Sequence, residues 1–147
     1  MKIGIACDHG AVDYKEVAKA LLIEQGHEVE DFGTHDTTSC DYPDYAYVCA
    51  KSVAEGKNEK GIVICGTGIG VSISANKVNG IRCALCSEPV SARLTREHND
   101  ANMLAMGQRT IGVEVMKEIV QTFINTPFSH DERHQRRVDK IMAIEKK

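Results

Sequence analysis

The sequence predicts an α/β fold, a three-layer αβα sandwich in which helices cover both faces of a five-stranded, mainly parallel sheet and a C-terminal helix closes the chain. Short apolar runs alternate with segments of helical spacing over most of the 147 residues. Those apolar runs lack the polar alternation of half-exposed strands, so both of their faces are buried and the sheet is open and Rossmann-like. Three prolines leave no Pro-rich linker, no internal repeat is visible, and a chain of this length supplies about one core. One domain over residues 1–147 is expected.

Each element carries its own signal. Lys2–Cys7 reads as a buried strand, and Val12–Gln25 as a helix whose Val17, Ala18, Leu21 and Leu22 share a face before Gly26 stops it. His27–Phe32 is a second strand. A polar loop through Tyr42 leads to a helix opened by Pro43, a residue suited to a first turn, and ending near Gly56. Gly61–Cys65 is the third strand, turned by Gly66, Gly68 and Gly70 into a helix over Val71–Asn76. Ile81–Cys86 is the fourth strand, and Ser87 is expected to cap a helix reaching Glu97. Met103–Met106 is the fifth, followed by helices over Gly112–Ile124 and Asp131–Glu145.

Hydrophobic residues make up 42% and charged residues 27% of the chain, a globular balance, and no stretch nears the roughly 20 apolar residues of a membrane span. Asp8 interrupts the apolar start before a signal-peptide core forms, which points to a cytoplasmic protein. A net charge of −3 argues against nucleic acid as a general partner, since polyanion binders carry a basic surplus. Any anion site is local. Six scattered cysteines in a chain that can fold without staples are expected to be reduced thiols. Cys83 and Cys86 have the spacing of a metal knuckle, but on a strand residues three apart point to opposite faces. Buried structural thiols, with no metal site, are the preferred reading there.

In open parallel sheets, ligands bind beyond the carboxyl ends of the strands. Asp8-His9-Gly10 follows the first strand, Cys65 to Gly70 closes the third, and Gly107-Gln108-Arg109 follows the fifth. Glu97-His98-Asn99-Asp100, after the fourth helix, is grouped with them on one edge, as an active site. Gly66, Gly68 and Gly70 let backbone N–H groups converge on an anion at a helix N-terminus. The spacing is neither a dinucleotide fingerprint nor a P-loop, so no nucleotide cofactor is expected; a plain tight turn is the competing reading. Cys65 faces that terminus, where a thiolate acting as base or nucleophile is favoured, against the alternative of a buried inert thiol. A cysteine phosphatase loop would need arginine where Val71 stands. The amides therefore suit an enolate-type oxygen better than a transferred phosphoryl group.

His9 and His98 stand apart from His27, His35 and His130 by their neighbours, although ordinary polar packing, and a helix-capping role for Asp8, stay open. Arg133 and Arg137, about 40° apart on a helical wheel, border a stripe of Val138, Ile141 and Met142 and can hold an anion together. Arg136 turns away from that stripe toward solvent. A plain basic face is the other reading.

Asp8-His9-Gly10, Asp41-Tyr42-Pro43, Cys65-Gly66-Thr67-Gly68-Ile69-Gly70, His98-Asn99-Asp100-Ala101-Asn102 and Arg133-His134-Gln135-Arg136-Arg137 together resemble the ribose-5-phosphate isomerase B family nearly end to end. The wider family includes galactose-6-phosphate and allose-6-phosphate isomerases. The resemblance implies an isomerase, free of metal and cofactor, that interconverts ribose 5-phosphate and ribulose 5-phosphate through an enediolate in the pentose phosphate pathway. It implies Cys65 as the base between C2 and C1, Thr67 and the amides of Gly66, Gly68 and Gly70 on the charged oxygen, and His98 in ring opening. Asp8 and Tyr42 would position sugar hydroxyls, Asn99 would bind substrate, and His9, Arg133 and Arg137 would bind phosphate. Arg109 would reach the site from a second subunit, and His98 and Asn99 lie near the dimer seam in relatives. The implied partners are thus a small sugar phosphate and a second copy, in a homodimer or a tetramer built from it. A six-carbon sugar phosphate as substrate, or a non-catalytic sugar-phosphate-binding protein, are the alternatives.

Overall fold

In the computed structural model of residues 1–147, strands β1 (Lys2–Cys7), β2 (Glu28–Asp31), β3 (Lys60–Cys65), β4 (Cys83–Leu85) and β5 (Met103–Gly107) form one sheet in the order β2-β1-β3-β5-β4. Every pairing is parallel. Helices α1 (Val12–Glu24), α2 (Tyr42–Ala54), α3 (Ile69–Asn76), α4 (Pro89–Asn99) and α5 (Val113–Asn125) each follow a strand, and α6 (Glu132–Ile144) closes the chain. No helix is long and apolar enough to cross a membrane.

β1, β3 and β5 are almost wholly apolar because each serves two cores, whereas edge strand β2 carries Glu28 and Glu30 on its exposed positions. Ile3, Ile5, Ile62, Ile64, Leu104 and Met106 pack beneath α1, α4 and α5, whereas Ala6, Val63, Cys65, Met103 and Ala105 pack beneath α2 and α3. Successive side chains alternate between these layers, and burial of each large aliphatic one contributes about 1.5–3 kcal/mol. Chain direction follows from the same division. α1 leaves β1 onto one face while α3 leaves β3 onto the other, so a crevice opens between the carboxyl ends of these neighbouring strands.

Most element ends shift by one or two residues from the sequence expectations, β2 for example to Glu28–Asp31, and three differences have a clear physical reason. β4 pairs with β5 only through Cys83–Leu85 rather than over Ile81–Cys86, as befits an edge strand with no neighbour on its outer side. Ser87 does not cap α4. Pro89 takes the first helical position, which makes Glu88 the N-cap, and its carboxylate accepts the Ser91 N–H at 2.9 Å. α3 begins at Ile69 rather than Val71 because Gly68, at φ 79°, turns the chain directly into the helix. Cys83, on β4, and Cys86, just past its end, enter opposite cores. Burial raises both thiols, that of Cys86 to about 11.

Candidate active site

Cys65 ends β3 at the crevice. Its side chain is nearly enclosed, and its sulfur accepts the main-chain N–H of Gly68 at 3.1 Å. That contact requires the left-handed backbone of Gly68, where an added Cβ would also come within 2.7 Å of the Met106 carbonyl carbon. The N–H groups of Gly66, Thr67 and Gly70 have no acceptor within the chain, leaving three donors at the start of α3 for an anionic oxygen. The exposed Thr67 hydroxyl accepts the Ile69 N–H at 3.2 Å. Bonds from Gln108 N–H to the Cys65 carbonyl at 2.9 Å and from Arg109 N–H to the Gly66 carbonyl at 2.8 Å fasten the loop to the end of β5. The Tyr42 ring lies directly against Gly70, and the guanidinium of Arg109 lies over Gly66 of its own chain.

The facing wall comes from β1. The Asp8 carboxylate accepts the Gly10 N–H at 2.9 Å and so closes a tight turn. It does not cap α1, whose N-cap is Ala11 without a side-chain bond. A Cβ placed on Gly10 would stand 3.9 Å from the Gly66 nitrogen, so the two strand-end loops are adjacent. His9 Nδ1 accepts the Cys40 N–H at 3.2 Å. Asp8, Cys40, Asp41, Tyr42, Pro43 and Asp44 line a pocket of about 510 Å³.

A buried cation supports this wall and was not anticipated from the sequence. The Lys15 ammonium, wholly enclosed, donates to both Asp31 oxygens at 2.9 and 3.0 Å and to the Thr34 carbonyl at 2.7 Å. It ties α1 to the segment that leads into the pocket. Burial acts to raise the Asp31 carboxyl, but Lys15, the Gly33 amide and Lys19 outweigh it and hold the group below its ordinary value. Nearby, burial outweighs the Lys15 charge and pushes the Cys7 thiol up to about 12, which keeps that sulfur protonated. The signal for Lys15 lay in its spacing, because it shares the buried stripe of α1 with Ala18 and Leu22.

His98 and Asn99 do not join this crevice, contrary to the grouping on one edge. A helix that follows a parallel strand runs back across the sheet, so its last residues reach the edge where strands begin. There the Asn99 carbonyl accepts from Arg82 Nε at 3.1 Å, and Asn102 Oδ1 accepts the Arg82 N–H at 2.8 Å just before β4. The His98 ring stacks on His134 of α6 with centroids 4.3 Å apart. His134, a residue the sequence reading passed over within the basic cluster, is buried, with Nδ1 2.7 Å from the Ser129 hydroxyl. Burial, His98 and Arg133 together lower its pKa against the opposing pull of Asp131. Arg133 and Arg137 are exposed on the same helix. Of the predicted residues, one chain therefore unites Asp8, His9, Tyr42, Cys65, Gly66, Thr67, Gly68, Gly70 and Arg109, and gathers His98, Asn99, Arg133 and Arg137 elsewhere.

A sulfur fixed by an amide, with free N–H donors, a carboxylate and a guanidinium around it, is equipped to move a proton next to a developing oxyanion. Comparison with known proteins agrees with that chemistry. A family model described as Ribose/Galactose Isomerase matches residues 3–141. The chain is 48% identical over 146 residues to ribose-5-phosphate isomerase B of Escherichia coli, covering 99% of this chain and 97% of that one. Its structure is similar to that of Clostridium thermocellum ribose-5-phosphate isomerase B, with a TM-score of 0.97 and 50% identity over 99% of this chain and 98% of that one. A Mycoplasma genitalium ribose-5-phosphate isomerase B with bound ribulose 5-phosphate matches with a TM-score of 0.95 and 37% identity, over 99% of this chain and 97% of that one. The chain belongs to the ribose/galactose isomerase family.

Proposed function

We propose that this protein is an aldose–ketose isomerase that interconverts ribose 5-phosphate and ribulose 5-phosphate, as a single isomerase domain over residues 1–147. The observation that carries the reading is the 3.1 Å contact from the Gly68 N–H to the Cys65 sulfur. The bond fixes the sulfur at the crevice beside the free N–H donors of Gly66, Thr67 and Gly70, where it can act as a base next to a developing oxyanion.

His98 assists opening of the furanose ring. The Cys65 thiolate then takes the proton from C2 of the open aldose, and negative charge develops on the carbonyl oxygen at C1. Thr67 and the free amides of Gly66 and Gly70 stabilise that oxygen in the enediolate, while the Gly68 N–H stays on the sulfur. Return of the proton from sulfur to C1, with the O2 hydroxyl proton passing to O1, yields the ketose. Asp8 and Tyr42 hold sugar hydroxyls, Asn99 holds substrate, and the phosphate is bound across a subunit boundary by His9 and Arg109 of one copy and Arg133 and Arg137 of the other, so that Arg109 serves the crevice of its own chain rather than that of a second subunit.

That division of roles needs a homodimer, since base and ring-opening imidazole stand at different edges of one chain. A twofold interface brings one copy's surface against a different region of the other. Exposed Ile69, Ile73, Leu85 and Val90, at 52%, 57%, 43% and 55%, supply an apolar face beside edge strand β4 for that contact. All six thiols are free, which fits a reducing cytoplasmic setting.

Incubation with ribose 5-phosphate in deuterated water tests the reaction. Solvent deuterium entering the sugar carbons supports it, and a bound sugar phosphate that gains none leaves only a binding protein. Parallel assays with allose 6-phosphate and galactose 6-phosphate measure the preference for sugar length.

A further inference from the structure

The imidazole of His9 is oriented by a main-chain group. An amide N–H can only donate, so the bond from Cys40 N–H to His9 Nδ1 at 3.2 Å requires a lone pair on Nδ1. A neutral ring then carries its proton on Nε2, and an imidazolium, with no lone pair on either nitrogen, would forfeit the bond. The Cys40 thiol, 3.8 Å from the same nitrogen, is a weak donor at best. The segment that supplies the amide is secured on both sides. Lys15 grips the Thr34 carbonyl before it, and Tyr42 rests on Gly70 after it.

We propose that the Cys40 amide is a positioning group for substrate binding, locking His9 as the neutral Nε2–H tautomer so that the ring offers the phosphate one directed hydrogen bond and no charge. The phosphate part rests on the isomerase reading above; the tautomer does not. On this basis the positive charge facing a phosphate dianion comes from arginine. The amide is what matters, and the Cys40 sulfur is dispensable for the tautomer.

Long-range proton–nitrogen NMR of the full-length protein, with His9 assigned by a His9→Asn variant, reads the ring directly at about pH 8, above the ordinary histidine pKa of roughly 6.5. A protonated Nε2 and a lone-pair Nδ1, with and without inorganic phosphate, are expected. A predominant Nδ1–H ring or an imidazolium at that pH overturns the proposal. Cys40→Ala retains the amide and is expected to retain the tautomer; loss of the tautomer in this variant would transfer control to the thiol and sink the proposal. Cys40→Pro removes the donor. It is expected to mix the tautomers and raise KM for ribose 5-phosphate about tenfold, a larger change than in kcat. An unaltered spectrum in folded Cys40→Pro contradicts the proposal, and should that variant not fold, the wild-type and Cys40→Ala spectra still decide. Failure of deuterium exchange in the assay above would remove the isomerase while leaving this spectrum to be judged separately.

Discussion

The two edges of the sheet are built by different means. At the carboxyl edge, the Cys65 loop is held by main-chain bonds and by glycines whose missing side chains admit Tyr42, Met106 and Arg109. At the amino edge, His98 rests on the ring of His134, and Arg133 and Arg137 stand in solvent. A base and its oxyanion donors must hold position to a fraction of an ångström, which backbone does well. On the proposed reading, groups that open a ring or attract a phosphate tolerate side-chain freedom and would be presented outward to a second copy.

Removing the thiol would break the carboxyl edge most severely. Cys65→Ala is expected to lower kcat by about 10²–10⁴-fold while phosphate binding persists, as measured by steady-state kinetics and calorimetry; undiminished turnover would move the base elsewhere. Lys15→Met attacks the frame of the same edge. It removes the enclosed partner of Asp31, whose side chain is 8% exposed and keeps only Lys19 at 3.2 Å and the Gly33 amide, and unfolding by urea should show a loss of about 1–3 kcal/mol. A change near zero would mean that Asp31 finds water or another cation.

Arg137→Ala probes the amino edge and should act on binding alone, raising KM about tenfold with the urea midpoint unaltered. A matching loss of stability would make Arg137 a structural residue. Acid titration gives the smallest effect and separates the edges by pH. The folded chain holds His134 below the ordinary value of 6.5, so the unfolded chain takes that proton first and stability declines as pH drops below about 6.5. Asp31 is also lowered, from 3.8, so its share of stability persists until pH falls through and below that value. Urea midpoints recorded between about pH 7 and pH 5 should therefore slope downward in the wild type and lose part of that slope in His134→Asn.

The strands and the glycine loop were legible because buried parallel strands need uninterrupted Ile and Val, and because closely spaced glycines mark close backbone approach. Ser87 misled because hydroxyls usually cap helices, whereas Pro89 determines which residue occupies the capping position here. His98 misled for a topological reason: a residue's place along a helix, rather than its nearness in sequence to a strand, determines its edge. Lys15 escaped notice because a lysine suggests solvent until its carboxylate, 16 residues away in sequence, is located. Pairings of that kind belong to tertiary structure and leave only a spacing clue in the chain.

Subunit complementation tests the shared site most directly. Cys65→Ala and His98→Asn chains, each inactive on cyclic ribose 5-phosphate, are mixed by co-refolding and assayed together. If each site draws its base from one copy and its imidazole from the other, a hybrid dimer contains one intact site, and random pairing restores about a quarter of wild-type activity. Hybrids that form and remain inactive would contradict a site divided between two copies.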